Sequence, residues 1–427
     1  MIHKSKYNQL VFHAESGVWY LYNTYHADYV QLTEEEKAIF DAYPAVPLNT
    51  HLSAKLEKCG ALTDVNEIDS LRERCAEQMK LTDKLSFIIC PTMDCNFACP
   101  YCVETGQRHH GMMDDKTAYS LKRFFDRMLD ESKAKDVCVH WYGGEPLLGL
   151  SRIEDLGRHF LTACRVRQVH YLSNITTNGY LLDEKAIETL DSIGVYGYRI
   201  TLDGAAETHD RVRMLAGGKG TYDHIMRNVE ILCKAKHQIE IRCNVSKDNV
   251  DKLLSLEAEI NRLKAINNNI HLHYARMFVY RDVPEVLAKS ALTEEEFSRF
   301  CVEHKDEKYN LSFRRHAVPC TACLPFSYCI DERGNIYKCN SFLSQEEHVI
   351  GNVNDLPSGK SLGKSQDAEM FKRHAFPENN ECLSCKLLPQ CLGSCPISKS
   401  GEKRCHPLKN SLEQYILQIA EADTSMG

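Results

Sequence analysis

From Leu85 onward, short apolar runs alternate with longer amphipathic stretches. The runs are LSFIIC, VCVHWY, VHYLSNI, YGYRITL, IEIRCNV and IHLHYARMF, and the stretches between them have helical character at 115–131, 151–165, 184–193, 221–236 and 249–264. Short runs rich in β-branched and aromatic residues read as strands, and strand followed by helix predicts parallel βαβ units. Six such strands predict an α/β fold with a full or partial barrel. In a barrel of this kind the chemistry gathers at the C-terminal ends of the strands. The sequence places MDCNFACPYC after the first strand, GGEP after the second, TTNG after the third and DG after the fourth.

The pattern changes on either side. Residues 1–80 open with the strand-like runs LVFH, GVWYLYN and DYVQL. Two helical stretches follow: TEEEKAIFDAY, where Thr33 caps an acidic first turn, and the amphipathic EIDSLRERCAEQMK. Together they predict a small α+β module. Residues 311–427 are cysteine-rich, with short turns such as ERGN and PENN, and neither segment contains an internal repeat. The expected organisation is therefore three domains, 1–80, 81–310 and 311–427, which suits a chain of 427 residues.

Composition narrows the class. Hydrophobic residues make up 43% and charged residues 26%, and no apolar run approaches the ~20 residues of a membrane span. MIHKSKYNQLVFHAESG lacks the apolar core and cleavage site of a signal peptide, so a cytoplasmic location is expected. A net charge of -7 offers no basic footprint for nucleic acid.

Twenty cysteines stand out, and in a reducing compartment clustered thiols argue for metal rather than disulfides. Cys59, Cys75, Cys90, Cys138, Cys164, Cys233, Cys243 and Cys301 are scattered, and they read as small buried hydrophobes. Cys95, Cys99 and Cys102 instead form CxxxCxxC on a loop after a strand. Three thiolates fit three corners of a [4Fe-4S] cube with one iron left for another ligand, whereas a structural zinc site needs a fourth ligand that is not nearby in sequence. Downstream, Cys323, Cys329 and Cys339 precede CLSC at 382–385, Cys391, Cys395 and Cys405. Eight thiolates complete two four-cysteine sites, for which spacing alone allows iron-sulfur clusters or zinc ribbons. Cys320 fits no slot.

Gly143, Gly144, Glu145 and Pro146 lie one βα unit after the cysteine loop. Two glycines allow close backbone approach to a ligand, and the Glu145 carboxylate is suited to accept hydrogen bonds from an ammonium. CxxxCxxC followed by GGEP resembles the radical SAM superfamily. The resemblance implies a partial (β/α)6 TIM-like barrel in which the amine and carboxylate of S-adenosylmethionine bind the unique iron. Reductive cleavage then yields a 5′-deoxyadenosyl radical. It implies that Tyr101 packs near the adenine, although ordinary packing explains it equally well, and that Asn174, Thr201 and Asp203 contact S-adenosylmethionine, although strand-end turn chemistry explains those three equally well. TTNGYLL, TLDG, HDRVR, GGKGTYDHIMRN and RCNVSKDN are similar to the corresponding run in members with a SPASM extension. Within it, HDRVR (His209–Arg213) also reads as an exposed helix start. CxxC-x5-C-x3-C, with ERGNIYKC and VIGNV upstream, resembles the SPASM domain itself. That likeness implies an auxiliary cluster I on Cys323, Cys329, Cys339 and Cys395, and an auxiliary cluster II on Cys382, Cys385, Cys391 and Cys405. In all it implies three [4Fe-4S] clusters and S-adenosylmethionine as cofactors.

Proteins of this kind act mostly on peptides or proteins. One branch, the anaerobic sulfatase maturases, makes formylglycine from Cys or Ser, and there an Asp after the third auxiliary ligand serves as base. Here Asn340 follows Cys339, and a neutral amide cannot take the proton. The other branch installs thioether or carbon-carbon crosslinks in ribosomally made peptides, often with an N-terminal module that binds a leader segment as an added strand. The expectation is an oxidoreductase of this second type, with a precursor peptide as substrate and a flavodoxin or ferredoxin as electron donor. A non-catalytic electron relay or a zinc-binding scaffold is the alternative from another class; neither accounts for GGEP behind CxxxCxxC.

Overall fold

The computed structural model describes residues 2–80, 82–102, 104, 110–277, 285–304, 320–355, 366–395 and 405–424. The chain forms two compact units, Met1–Lys80 with Thr293–Cys323 and Met370–Gly427, and Leu81–Leu292 with Leu324–Glu369. The expected boundary at residue 310 and Phe278 at the end of the sixth apolar run lie outside the described residues. The cysteine-rich region contributes to both units.

In the first unit, β1 (His3–Lys4), β2 (Asn8–His13), β3 (Val18–Asn23) and β4 (Asp28–Leu32) precede α1 (Glu34–Ala42), α2 (Thr50–Lys58), β5 (Leu62–Thr63) and α3 (Glu67–Gln78). β2, β3 and β4 form an antiparallel sheet in that order, and β1 pairs with β5. The TEEE start acts as a full capping box: the Thr33 hydroxyl accepts from Glu36 N while the Glu36 carboxylate accepts from Thr33 N. Val11, Tyr20 and Tyr22 share a core with Val302, Leu387, Leu408, Leu412 and Ile416, so the two ends of the chain fold as one body.

In the second unit, β6 (Lys84–Ile89), α4 (Asp115–Glu131), β7 (Asp136–Trp141), α5 (Leu150–Arg167), β8 (His170–Thr177), α6 (Glu184–Ser192), β9 (Val195–Thr201), α7 (Ala206–Val212), α8 (Tyr222–Lys234), β10 (Gln238–Val245), α9 (Leu253–Lys264) and β11 (Ile270–Arg276) succeed one another. β6 to β11 lie side by side in chain order and are parallel throughout, the partial barrel that the apolar runs predict. On the free side of β6, β12 (Ser327–Ile330) adds a further parallel strand. β13 (Asn335–Tyr337) and β14 (Gly351–Asn352) continue antiparallel, to nine strands among the described residues.

Burial alternates with period two along β6, β7 and β10. One face, carrying Leu85, Phe87, Val137, Val139, Trp141, Ile239 and Ile241, is fully buried. Phe125 of α4 stacks on Phe160 of α5 at 4.1 Å and lies 5.2 Å from Phe87, which places the core under the helices. Parallel strands covered on both faces would be apolar throughout; here the second face is polar and half-buried. On it, His140 Nε2 meets Thr176 Oγ1 at 2.8 Å, and Arg199 holds Glu240 through two bonds of 2.8 and 3.1 Å. Burial first and Arg199 second push His140 down to about 4, so it is neutral at physiological pH.

The turn between β12 and β13 is built on Asp331, whose carboxylate accepts from Arg333 N, Asn335 N, Asn335 Nδ2 and Tyr337 OH at 2.8 to 3.0 Å. The neighbouring Glu332 is 5% exposed. Its oxygens have no hydrogen-bond partner among the described residues, with Arg333 Nε 3.5 Å away. Burial, then the charge of Asp331, pushes its carboxyl from the ordinary 4.5 up to about 7. The folded chain therefore holds this proton more tightly than the unfolded chain, and stability falls as pH rises through that interval, by roughly 3 kcal/mol. Glu332→Gln removes the dependence. Thermal unfolding at pH 5 and pH 8 should show the variant gaining on the wild type at the higher pH; a gap that does not change with pH would contradict the assignment.

Candidate active site

The cysteine loop leaves the C-terminal end of β6 and is held from two sides. Phe97 bridges to Leu215, with Ala98 N donating to Met214 O at 3.0 Å and Ala216 N to Asn96 O at 2.9 Å. Cys99 is buried, and Cys95 and Cys102 are half-buried. Burial pushes the Cys99 thiol up to about 11 against the opposing charge of Arg213. Such a thiol keeps its proton until a metal takes its place.

On the other side lies the glycine pair after β7. Gly143 has φ +129°, and a Cβ there would lie 2.2 Å from Thr92 O. A Cβ on Gly144 would lie 2.3 Å from the carbonyl oxygens of both Met93 and Asp94. Glu145 N donates to Asp94 O at 2.8 Å. Only glycines let these two strand-end loops pack backbone to backbone.

Glu145 is fully buried. Its Oε1 accepts from Thr177 Oγ1 at 2.7 Å and Leu147 N at 3.1 Å, and its Oε2 from Asn178 N at 2.7 Å. Burial raises its pKa, and these bonds work in the opposite sense. The carboxylate thus ties the β7 loop to the end of β8.

The TTNG motif delivers Asn178 to the cysteine loop. Its Nδ2 donates to Asn96 Oδ1 at 2.7 Å and lies 4.0 Å from Cys95 Sγ. Asn174, the residue expected from the sequence, is not brought there: it sits in mid-strand on the polar sheet face, with Nδ2 3.8 Å from Cys138 Sγ. Asn178 reaches the loop because it lies just past the end of β8, whereas a residue inside the strand stays with its neighbours in register.

Thr201 ends β9 opposite Arg242. Beyond it, Asp203 is 2% exposed, and its Oδ1 accepts from Asn244 N at 2.9 Å and Asn244 Nδ2 at 3.1 Å. Its Oδ2 accepts from the Tyr101 hydroxyl, so the aromatic residue before Cys102 is tied to the fourth strand end. Tyr101, Asp203, Thr208, Asn244, Ser246 and Asn249 line a common cavity beside the loop.

The cysteine-rich region holds a second convergence. Cys382, Cys385, Cys391 and Cys405 line one cavity together with Leu387 and Lys409. Burial pushes the Cys391 thiol up to about 12, with the other three thiols adding to the effect. Lys409 Nζ donates to Glu381 Oε1 at 2.9 Å and to Cys405 Sγ at 3.4 Å. Cys329 lies on β12, and Cys339 follows β13, accepting from Ser341 N at 3.4 Å. Cys323 is buried at the end of a short 3-10 turn, and Cys395 is half-buried. Cys320 accepts from Ala322 N at 3.4 Å. Of the eight scattered cysteines, seven are buried and Cys138 is half-buried.

Residues 89–274 match the Radical SAM superfamily model. The chain is 24% identical over 339 residues to the cysteine-type anaerobic sulfatase-maturating enzyme of Clostridium perfringens, a match covering 73% of this chain and 88% of that one. It is 22% identical over 386 residues to the radical SAM cyclopropyl synthase TigE of Paramaledivibacter caminithermalis, covering 83% and 78%. The solved structure of anSMEcpe with bound AdoMet and Kp18Cys peptide shares the fold at a TM-score of 0.63 and 20% identity, covering 79% of this chain and 99% of that one. Radical SAM enzymes bind S-adenosylmethionine and a [4Fe-4S] cluster, and three thiols on one strand-end loop have the donor chemistry for the cluster. These matches set aside the relay and scaffold alternatives. Because the family match spans the strands that carry the cysteine loop, residues 89–274 of this chain form a radical SAM domain.

Proposed function

We propose that this enzyme matures a ribosomally made peptide by oxidative crosslinking, forming a thioether or a carbon-carbon bond. The observation that carries the reading is Asn340 directly after Cys339, where a formylglycine-forming enzyme would place an Asp base. Further support comes from length: about a fifth of this chain has no counterpart in the anSMEcpe structure, which is itself covered over 99% of its length.

In this reading Cys95, Cys99 and Cys102 hold the radical-generating cluster, and the backbone of Gly143 and Gly144 supports S-adenosylmethionine beside it. Bound there, the two cofactors would supply the radical chemistry that removes hydrogen from the substrate. Tyr101 and Asp203 form part of the wall of the cofactor pocket, and Thr201 ends the strand that leads to it. Glu145 and Asp203 act through their hydrogen bonds, fixing strand ends so that the cavity keeps its shape. Cys382, Cys385, Cys391 and Cys405 hold one auxiliary cluster, and Cys323, Cys329, Cys339 and Cys395 the other. These clusters suit the removal of the second electron in a net two-electron oxidation. The β2–β3–β4 sheet offers edge strands to which a leader segment of the precursor peptide adds as a further strand. A cytoplasmic location and reduction by a flavodoxin or ferredoxin belong to the same reading; among the described residues no helix is long and apolar enough to cross a membrane.

Similarity to sulfatase-maturating enzymes favours formylglycine formation as the second reading. Mass spectrometry separates the two. Short Cys-containing peptides encoded beside the gene are co-expressed anaerobically with the enzyme. The expected result is loss of two hydrogens per modified site, with fragmentation blocked between the linked residues. Turnover of a short Cys- or Ser-containing sulfatase peptide to formylglycine would replace crosslinking with the second reading.

A further inference from the structure

The HDRVR segment corrects its own appearance. With three charged residues and a histidine it reads as an exposed helix start, yet His209 is fully buried. Its Nδ1 accepts from Asp203 N at 3.2 Å, which leaves the proton on Nε2 to be donated to Thr221 Oγ1 at 3.0 Å. The Thr221 hydroxyl in turn donates to Arg213 O at 2.6 Å. Burial, and next the charge of Arg213, holds His209 well below its ordinary value, so this chain of bonds runs through a neutral ring. The backbone at Arg213 is thereby fixed just before Met214 and Ala216, the residues that bond to the cysteine loop.

The Arg213 side chain follows the same direction. Its Nη1 donates to Tyr101 OH at 2.9 Å, and its guanidinium carbon lies 5.7 Å from the centre of the Phe97 ring. Nε is buried and has no hydrogen-bond partner among the described residues. Tyr101 passes its own proton toward Asp203, so the cation is linked through one hydroxyl to a carboxylate. A permanent positive charge is therefore held against residues 97 and 101, inside the span of the three cysteines.

We propose that Arg213 is a positioning residue of the radical SAM site whose charge raises the reduction potential of the [4Fe-4S] cluster on Cys95, Cys99 and Cys102, with Asp203 as its counterweight. The proposal rests on the reading of those three cysteines as cluster ligands. Reduction takes one electron from the external donor, moves no proton and leaves the cluster one charge more negative. A fixed cation stabilises that state over the oxidised one, and a fixed anion does the reverse. No bond to iron is involved, so the effect is separate from ligation.

The test is a reductive titration of the full-length, anaerobically purified holoenzyme, read by electron paramagnetic resonance. Paired samples with and without S-adenosylmethionine isolate the component whose signal changes on its addition, which distinguishes this cluster from the auxiliary ones. For Arg213→Gln the expected result is about tenfold less reduced cluster at a fixed potential, a shift of ~59 mV for one electron. Arg213→Lys keeps the charge and stays within about twofold of the wild type, while Asp203→Asn shifts in the opposite direction. An unshifted Gln variant overturns the proposal, as does a Lys variant shifted as far as Gln, which would make packing the cause. If Arg213→Gln does not retain its cluster, Asp203→Asn decides: an upward shift supports the proposal and its absence overturns it. A wild-type protein with no component that responds to S-adenosylmethionine would instead remove the cluster assignment itself.

Discussion

Simultaneous replacement of Cys95, Cys99 and Cys102 by Ala is expected to abolish reductive cleavage of S-adenosylmethionine to 5′-deoxyadenosine while leaving the chain folded. The two halves of this expectation have different physical origins. Cys99 is 9% exposed and its thiol is pushed up to about 11, so without metal it behaves as a small neutral apolar group. Changing it to Ala removes one sulfur from a loop that is held by backbone bonds to Met214 and Ala216, at a cost on the order of 1 kcal/mol. Cluster binding depends on all three sulfurs, and Cys90, the other described thiol between the end of β6 and Cys102, is fully buried. With the two proposed auxiliary clusters left in place, iron analysis should show roughly a third of the metal lost. Product analysis by chromatography checks the activity, and circular dichroism checks the fold. Cleavage that survives the triple change would defeat the assignment of the site.

Gly144→Ala is expected to impair the same step without touching any proposed ligand. The added methyl group would lie 2.3 Å from two carbonyl oxygens and 2.7 Å from Asp94 C, all of them backbone atoms in the residues leading to Cys95. A flexible side chain could rotate away, but a backbone pinned by Glu145 N on Asp94 O at 2.8 Å must move as a unit. Overpacking of this kind costs about 1 to 3 kcal/mol, and here the strain falls on the loop that places the cluster and its cofactor. S-adenosylmethionine binding weakened at least about tenfold is the expected outcome, measured by equilibrium dialysis on the reconstituted protein. Gly217→Ala is the control, because nothing lies within 4 Å of a Cβ there. Equal behaviour of the two variants would mean that the glycine pair is not a close-approach site.

The parts of this molecule that repeat locally are the parts that its sequence displays. The helix expected at 115–131 is Asp115–Glu131, capped by the Asp114 carboxylate on Thr117 N at 2.7 Å, because an amphipathic stripe and its cap lie within one segment. The stretch expected at 249–264 begins its α-helix only at Leu253. Asn249 is occupied in the preceding turn, donating to Asn244 O at 2.9 Å and accepting from Ser246 N at 2.9 Å, so it does not cap. His209 and Arg213 escape a reading by polarity because a buried histidine and a half-buried arginine bonded within the fold look, in one dimension, like surface. The core shared by Val11 and Tyr22 with Leu412 and Ile416 is hidden for another reason: it joins the first strands to the last helix, a separation no local pattern records. Function followed the same rule. Spacing within a few residues pointed to CxxxCxxC, while the hydrogen bond from Tyr101 to Asp203 emerged only from the fold.

The parallel pairing of β12 with β6 bears on how the protein is made. β6 is the first strand of its sheet to leave the ribosome, and β12 is added only after every other parallel strand has been synthesised. Throughout that interval one edge of β6, an apolar strand with Leu85, Phe87 and Ile89, has its backbone amides and carbonyls open to any other extended chain. Newly made molecules are therefore exposed to strand-to-strand aggregation until the C-terminal region arrives to cover the edge. Proteins ending before Ser327 should collect in the insoluble fraction, and slower translation of the last third of the message should lower the yield of usable enzyme.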